Sequence, residues 1–220
     1  MRLLFVRHGD PDYSTDTLTP LGHRQAAAAA ERLSGEGITH IVSSTCGRAY
    51  LTAQHTADRL GLPIESADFL REISWGSRNG IELPHHGNPW HAGSEAVSQQ
   101  VPLMGDPEQY ACFNNNRVLD SAAALGDGLD AWLELRGYRR EGAYYRVTED
   151  ADEGTVAIFS HNGASVAAWA RLFNLPFFFV CCCVSVHHTS ITQVSMHKAP
   201  GQLITPGFSY VNDYKHTVGL

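Results

Sequence analysis

The stretch Arg2-Leu3-Leu4-Phe5-Val6-Arg7-His8-Gly9 decides the fold of this chain. Its apolar run predicts a buried central strand, and Gly9 with the following Asp-Pro-Asp predicts that the strand ends in a loop. Arg7 and His8 then lie at the carboxyl end of a strand, where open α/β sheets bind ligands. A phosphoryl group bound there would meet a planar cation and a neutral imidazole able to attack it. The alternative is that Arg7 and His8 are two polar residues at a strand edge that faces water. The motif is too short to decide between the two, so the decision depends on whether the rest of the chain supplies the other residues of a site.

The composition restricts the class of protein. With 220 residues, 43% hydrophobic and 18% charged, residues 1–220 are predicted to form a single domain with a substantial core. A formal net charge of -7 argues against a nucleic-acid or membrane-surface binder, so an anionic ligand would need a local positive pocket. The longest apolar stretch, 175–186, is too short to span a bilayer. The five cysteines lack a C-x-x-C pair, which predicts reduced thiols and a cytoplasmic location.

Strands and helices alternate in the first third of the chain. Thr19 is a good N-cap for a helix that begins at Pro20 and ends at Gly35. A short strand over 38–44 leads into a second helix, which ends at Gly61. This order predicts a parallel sheet with right-handed crossovers.

The second half repeats the same layout. A helix is predicted over 118–135, a strand or extended link over 144–147 and a second central strand over 155–160, which ends in His161 and a further helix. Residues 175–186 are interpreted as a buried helix, and 190–196 with 202–211 as an antiparallel hairpin at the sheet edge. The fold class is therefore a three-layer αβα sandwich with a mostly parallel sheet and an antiparallel edge.

From about residue 80 to residue 116, the sequence shows no helix or strand periodicity and contains many prolines and glycines. This pattern predicts a loop-rich lid inserted into the domain. His85, His86 and His91 within it could be metal ligands, but they lack helical i,i+4 spacing and a companion carboxylate. A solvated lid is the favoured interpretation, with no metal and no cofactor. Trp90 and His91 lie mid-lid beside Pro89, and we expect them to contact substrate.

Other candidate site residues occur at the same predicted sheet edge. Arg48 follows a strand in the first turn of a helix, where free backbone N–H groups favour anions, although a solvent-exposed helix charge is the alternative. Glu72 has apolar neighbours, and partial burial would raise its pKa and keep it protonated as a general acid; pairing with Arg71 is the alternative. Together with Arg7, His8 and His161, these residues suit phosphoryl transfer, which needs charge stabilisation, a nucleophile and a proton donor.

In these motifs the chain resembles the histidine phosphatase superfamily, which has the phosphoglycerate-mutase-like fold. The motifs occur in the family's order over nearly the whole chain: Arg7-His8-Gly9, Leu18-Thr19-x-x-Gly22-x-x-Gln25-Ala26, Ser43-Ser44-x-x-x-Arg48-Ala49-x-x-Thr52-Ala53, Leu70-Arg71-Glu72-Ile73, Ser160-His161-Asn162-Gly163 and Val211-Asn212-Asp213-x-x-His216.

The resemblance implies a role for each matched residue. His8 would be the nucleophile that forms a phosphohistidine, and it would have to be neutral, with its other nitrogen donating to a backbone carbonyl. Arg7, Arg48 and His161 would bind the phosphoryl oxygens, and Glu72 would protonate the leaving alkoxide and later deprotonate water. Asn162 stands where many relatives carry glycine, so its side chain is a candidate substrate contact.

The expected activity is metal-independent hydrolysis of a phosphomonoester, with a small phosphorylated metabolite as partner and no nucleic acid or membrane. Asp10-Pro11-Asp12-Tyr13 lacks the glutamate and hydroxyl residue of mutase-type members, and Arg78-Asn79-Gly80 replaces their Trp-Glu-Gly. Both departures favour a phosphatase. A phosphoglycerate-mutase-type phosphotransferase and a catalytically silent phospho-ligand or protein-binding module are the alternatives. The sequence leaves the oligomeric state open, with a homodimer through an edge strand as one option.

Overall fold

The computed structural model describes residues 1–197 and 199–220, without the side chains of Ala111 and Cys112. The strands of this described part are, in chain order, β1 (Arg2–Arg7), β2 (Pro11–Asp12), β3 (Thr17–Leu18), β4 (His40–Ser43), β5 (Ile64–Ser66), β6 (Tyr138–Glu141), β7 (Tyr144–Val147), β8 (Thr155–Ser160), β9 (Ile191–Ser195), β10 (Leu203–Ile204) and β11 (Gly207–Asp213). The helices are α1 (Pro20–Leu33), α2 (Gly47–Leu60), α3 (Pro89–Ser98), α4 (Ala111–Asn114), α5 (Val118–Glu134), α6 (Asn162–Phe173) and α7 (Phe177–Cys183). Single 3-10 turns lie at Asp68–Leu70, Pro84–Gly87, Pro107–Gln109 and Lys215–Thr217.

The main sheet has the strand order β11-β9-β1-β8-β4-β5. Strand β8 pairs in parallel with both β1 and β4, and β4 pairs in parallel with β5. Strand β9 is antiparallel to β1, and β11 is antiparallel to β9. The predicted mostly parallel sheet with an antiparallel edge is confirmed, and β1 and β8 are neighbours whose ends coincide, with Arg7 opposite Ser160.

Alternate residues of β1 face the two layers of helices. Leu3 and Phe5 belong to the core that includes residues of α5, α6 and α7, whereas Leu4 and Val6 pack with residues of α1 and α2. This alternation follows from the two-residue period of a strand, and it explains why the run in β1 is apolar throughout. The three-layer αβα prediction is therefore confirmed.

Helix α1 begins as predicted. The Thr19 side chain accepts a hydrogen bond from the Gly22 N–H, and Pro20 occupies the first helical position. Helix α2 ends at Gly61, whose φ of 67° is the left-handed conformation that glycine adopts without strain. The predicted helices near 118–135 and 175–186 are present as α5 and α7.

The prediction that 80–116 is loop-rich is wrong in one part, because α3 and α4 lie within it. The Asn88 side chain accepts from the N–H groups of Trp90 and His91, and Pro89 stands at the first helical position. These are start signals for a helix, although Asn-Pro is also typical of a turn. The small buried residues of α3, Ala92 and Ala96, join the core beside α7.

The predicted hairpin at the sheet edge is confirmed only for β9 and β11, which pair antiparallel. Within the predicted strand 202–211, Leu203–Ile204 leaves the main sheet and pairs with β7 in a second sheet of order β10-β7-β6. The side chain of Ile204 is buried there in the core, which accounts for the departure. Lys198, in the predicted connection, lies outside the described residues. No helix in the described part of the chain is long and apolar enough to cross a membrane.

Candidate active site

The ends of β1, β8 and β4 bring the predicted residues to one edge of the sheet. Arg7 ends β1 and His8 follows it, while His161 follows β8 directly. Arg48 lies in the first turn of α2, just beyond β4. The rings of His8 and His161 meet edge to face, with their centroids 5.2 Å apart. Parallel strands end at the same edge of a sheet, so residues far apart in sequence converge there.

His8 is held as a neutral imidazole. Its ring is buried, and Nδ1 lies 2.7 Å from the carbonyl oxygen of Gly9, which can only accept, so Nδ1 carries the proton. Burial, together with the nearby charges of Arg7 and Arg48, lowers the pKa of His8 to about 3 against the raising effect of the Gly9 hydrogen bond. The lone pair of Nε2 is therefore available to attack an electrophile at neutral pH.

Arg7 and Arg48 are each anchored through one nitrogen. Arg7 Nη1 donates to the Val186 carbonyl at 2.6 Å, and Arg48 Nη1 donates to Asp16, which also accepts from the Gly47 N–H. The Nε atoms of both guanidinium groups are buried and have no hydrogen-bond partner among the described residues. Burial lowers the pKa of Arg7, although an arginine remains charged at neutral pH.

His161 also presents an unpartnered donor. Its Nε2 lies 2.9 Å from the Ser44 hydroxyl oxygen, which itself accepts from the Cys46 N–H. This arrangement favours donation from Ser44 to Nε2, so the proton of the neutral ring lies on Nδ1. Nδ1 is buried without a partner in the described structure. Burial, followed by the repulsion that a protonated His161 would meet from His8 in its charged form and from Arg48, lowers the pKa of His161 to about 2.

Glu72 reaches the start of α6 from the loop after Asp68–Leu70. Its Oε1 accepts from the N–H groups of Ala164 at 2.8 Å and Ile73 at 3.1 Å, and its Oε2 accepts more weakly from Gly163 at 3.4 Å. Burial raises the pKa of Glu72, while these backbone donors act in the opposite direction. The alternative pairing with Arg71 is not what the structure shows, because Arg71 contacts Asp68 and Thr45.

The remaining predicted contacts lie in different surroundings. The Oδ1 atom of Asn162 accepts from the Val186 N–H at 3.2 Å, so this oxygen holds the 184–190 loop. Trp90 packs edge to face on Trp75 and lines a groove with residues 181–185. His91 is exposed and stacks on His85, with ring centroids 4.5 Å apart. The roles of these three residues toward substrate stay predictions.

Several residues beside the site were not among the predicted site residues, although Ser44 and Tyr13 stand within stretches quoted above. Asp16 anchors Arg48, Ser44 orients His161, and Tyr13 places its ring 5.3 Å from the Arg48 guanidinium carbon. His188 lies beside His8, with ring centroids 5.6 Å apart. Spacing alone does not indicate Asp16 or His188, because both are brought in by loops whose path depends on tertiary contacts.

The candidate metal ligands of the 80–116 segment do not form a cluster. His86 Nδ1 lies 3.7 Å from Glu82 Oε1 on the surface, while His85 pairs with His91. Among the described side chains, no three histidine, cysteine, aspartate or glutamate residues converge as metal ligands.

Comparison with known proteins identifies the family. A model of the histidine phosphatase superfamily (branch 1) matches residues 3–206. The chain belongs to the histidine phosphatase superfamily.

Relatives within the superfamily include phosphatases and a probable mutase. Glucosyl-3-phosphoglycerate phosphatase of Mycobacterium tuberculosis is 31% identical over 209 residues, which cover 91% of this chain and 87% of that protein. A probable phosphoglycerate mutase of Yersinia enterocolitica is 36% identical over 85 residues, covering 34% of this chain and 40% of that protein.

Solved structures of the superfamily share the fold over nearly the full length. The mycobacterial glucosyl-3-phosphoglycerate phosphatase in complex with inorganic phosphate has a TM-score of 0.65 and 27% identity, covering 99% of both chains. Phosphoserine phosphatase from Entamoeba histolytica has a TM-score of 0.64 at 19% identity and covers 99% of both chains, a likeness of fold alone.

Proposed function

We propose that this histidine phosphatase hydrolyses the phosphomonoester of a small metabolite through a phosphohistidine on His8, without a metal. The observation that carries the proposal is the set of unpartnered donors around His8: Nε of Arg7, Nε of Arg48 and Nδ1 of His161. A buried donor without a partner costs about 1–3 kcal/mol. An anion with several oxygens, such as a phosphoryl group, satisfies these donors together.

In the first step, the Nε2 lone pair of His8 attacks phosphorus and the P–O bond to the leaving group breaks. Charge on the equatorial phosphoryl oxygens is stabilised by Arg7, Arg48 and His161. Protonated Glu72 gives its proton to the departing alkoxide, and the raised pKa of Glu72 favours the protonated form. The products are the free alcohol and phosphohistidine.

In the second step, the Glu72 carboxylate takes a proton from water as the water oxygen attacks phosphorus. The P–N bond breaks, orthophosphate leaves, and the electron pair returns to His8 Nε2. Because the Gly9 carbonyl holds the other ring proton, His8 returns to the tautomer in which it began.

Substrate selection is assigned to the 80–116 segment, which we propose acts as a lid and which includes Trp90 and His91. The name of the mycobacterial relative makes glucosyl-3-phosphoglycerate the first natural ester to test. If the lid selects the ester, Trp90→Ala should alter the relative kcat/KM among esters while leaving the chromogenic ester nearly unaffected. We also propose a cytoplasmic location, supported by the cysteine pattern.

The deciding experiment is hydrolysis of p-nitrophenyl phosphate in excess chelator by the wild type, His8→Ala and His40→Ala. His40 is exposed on β4, so His40→Ala is the matched control and should retain full activity. We expect chelator-resistant activity that is lost in His8→Ala. Activity lost to chelator would overturn the metal-free chemistry, and transfer of phosphate to a second metabolite would favour the mutase.

A further inference from the structure

The loop between α7 and β9 is fixed against the end of β1. The Val186 carbonyl accepts from Arg7 at 2.6 Å, and the Val186 N–H donates to Asn162 at 3.2 Å. Three residues later, the Thr189 N–H lies 3.0 Å from the carbonyl oxygen of Arg7 and 3.3 Å from that of His8. The position of this loop is therefore set by the residues of the candidate active site.

Thr189 adopts a backbone conformation that threonine disfavours. Its φ is 56°, in the left-handed region, where a β-branched side chain is a genuine outlier. Such a conformation costs about 1–3 kcal/mol and persists where the surroundings impose it, most often at functional sites. Here the bonds to the carbonyls of Arg7 and His8 impose it, together with the contact of Thr189 Oγ1 with His216 Nε2 at 3.3 Å.

The residue that this conformation positions is His188. Its ring lies 5.6 Å from that of His8, inclined by 33°, and its side chain is 27% exposed. Its Nδ1 lies 3.7 Å from Asp10 Oδ1, which is beyond a hydrogen bond to a neutral ring. Asp10 is itself held, because its Oδ2 accepts from the Thr19 hydroxyl and its N–H donates to Gln25.

Charges of both signs face His188. Burial lowers its pKa to about 4, Arg7 and His187 act in the same direction, and Asp10 opposes them. His8 is the other titratable group in contact, and it is neutral. His188 is thus neutral at neutral pH in the anion-free protein, close to a carboxylate on one side and to the nucleophile on the other.

We propose that His188 binds the phosphoryl group of the substrate as an imidazolium, with Nδ1 toward Asp10 and Nε2 donating to a phosphoryl oxygen. This rests on the proposed phosphatase function. A dianion beside the ring adds a second negative neighbour to Asp10, and two such neighbours favour the charged ring. The ring takes the proton from solvent when the anion binds and returns it when orthophosphate leaves. His188 thereby gives the site a pH-dependent affinity for its substrate.

The test uses sulfate, a stable dianion across the range of interest, so that any pH dependence of binding belongs to the protein. Sulfate affinity is measured from thermal shifts at about pH 5.5 and about pH 8 for the wild type, His188→Gln, Asp10→Asn and His187→Gln. His187 is the matched control, because it is the adjacent histidine, exposed and stacked on Tyr214. Melting without sulfate shows whether each variant is folded.

We expect the wild type to bind sulfate more tightly at about pH 5.5 than at about pH 8. Binding is accompanied by protonation of His188, which is more favourable at the lower pH. Loss of one charge-assisted hydrogen bond should weaken sulfate binding by His188→Gln about tenfold at pH 5.5 and much less at pH 8. Asp10→Asn should reduce the pH dependence. His187→Gln should bind sulfate at least as tightly as the wild type, because His187 acts to lower the pKa of His188.

Wild-type affinity in His188→Gln at both pH values, or no sulfate binding by the wild type, would overturn the inference. If His188→Gln does not fold, Asp10→Asn decides: unchanged pH dependence there also overturns it. If sulfate binds as described but no phosphomonoester is hydrolysed, the proposed function fails while the assignment of His188 as an anion contact holds.

Discussion

At the residue scale, the site shifts the pKa values of two titratable groups in opposite directions. Burial lowers the pKa of His8 to about 3 and raises the pKa of Glu72, which favours the neutral forms that the proposed nucleophile and the proposed acid need. Environments that shift the pKa values of neighbouring groups apart allow one group to act as a nucleophile and another as a proton donor in the same site. The same burial makes both groups sensitive to changes in their hydrogen-bond partners.

The acid role of Glu72 predicts a dependence on the leaving group. In Glu72→Gln, hydrolysis of alkyl phosphates should fall about 10²–10⁴-fold, whereas p-nitrophenyl phosphate should lose far less, because nitrophenolate leaves without a proton. Glu82→Gln, at an exposed position of the 80–116 segment, is the control. Steady-state kcat for a series of esters checks this, and equal losses for all esters would remove Glu72 from the acid role.

At the element scale, α1 packs directly on the loop that follows His8, the proposed nucleophile. A Cβ built on Gly9 would lie 2.6 Å from the Gly22 carbonyl oxygen, and one built on Gly22 would overlap the Asp10 carbonyl. The side chain of Gln25, one turn along α1, accepts from the Asp10 N–H. Because both residues lack a side chain, the helix can approach the loop after His8 this closely.

Gly22→Ala should therefore displace the loop after His8. We expect a loss of about 1–3 kcal/mol in the free energy of unfolding and a fall in kcat, because the added methyl group overpacks a backbone contact. Gly35→Ala is the control, since a Cβ there meets nothing within 4 Å and Gly35 has no positive φ. Chemical denaturation and ester hydrolysis measure both effects. Wild-type behaviour of Gly22→Ala would show that the contact is readily relaxed.

The 80–116 segment is tied to the domain by the buried side chain of Asn116. Its Oδ1 accepts from the N–H groups of Gly76 and Val118, and its Nδ2 donates to the Gly87 carbonyl at 2.7 Å. Asn116→Ala leaves these backbone groups buried without partners, at about 1–3 kcal/mol each. We expect a clear fall in melting temperature, measured by thermal denaturation.

The exposed Asn114 provides the comparison for Asn116, because its hydrogen bonds in the described structure are made by its backbone, whose N–H donates to Tyr110 and whose carbonyl accepts from Arg78. Asn114→Ala should change stability by less than about 0.5 kcal/mol. Equal melting temperatures for the two variants would contradict the structural role of Asn116.

At the scale of the whole molecule, an acidic protein encloses a cationic pocket. The formal net charge is -7, yet Arg7 and Arg48 face the site beside buried histidines. Burial holds His8 and His161 neutral, with pKa values of about 3 and about 2, against an unfolded value near 6.5. The unfolded chain therefore binds more protons than the folded chain once the pH falls below about 6.5.

Stability should consequently decrease as the pH falls from about 6.5 toward 4, by up to about 1.4 kcal/mol per pH unit for each of these histidines. His161→Gln should flatten the dependence, whereas His40→Gln, at an exposed position, should not. Urea denaturation at several pH values measures how the free energy of unfolding of each protein depends on pH. Stability that is independent of pH between 4 and 6.5 would show that these rings titrate normally.

The sequence by itself determined the elements whose signals are local. The apolar run of β1, the Thr19-Pro20 start of α1 and the strand that precedes His161 are set by periodicity and capping within a few residues. Since parallel strands end at one edge of a sheet, the same pattern also predicts that Arg7, His8, Arg48 and His161 lie together.

Tertiary structure alone decided the features that depend on contacts between distant segments. Glu72 reaches the N–H groups of α6, and His188 is brought beside His8 by bonds between a loop and β1. Strand β10 pairs with β7 in the second sheet rather than with the main sheet, and Ile204 is buried in the core there. In each case the free energy comes from burial and hydrogen bonds that form only when remote parts of the chain meet, and no local pattern of residues encodes it.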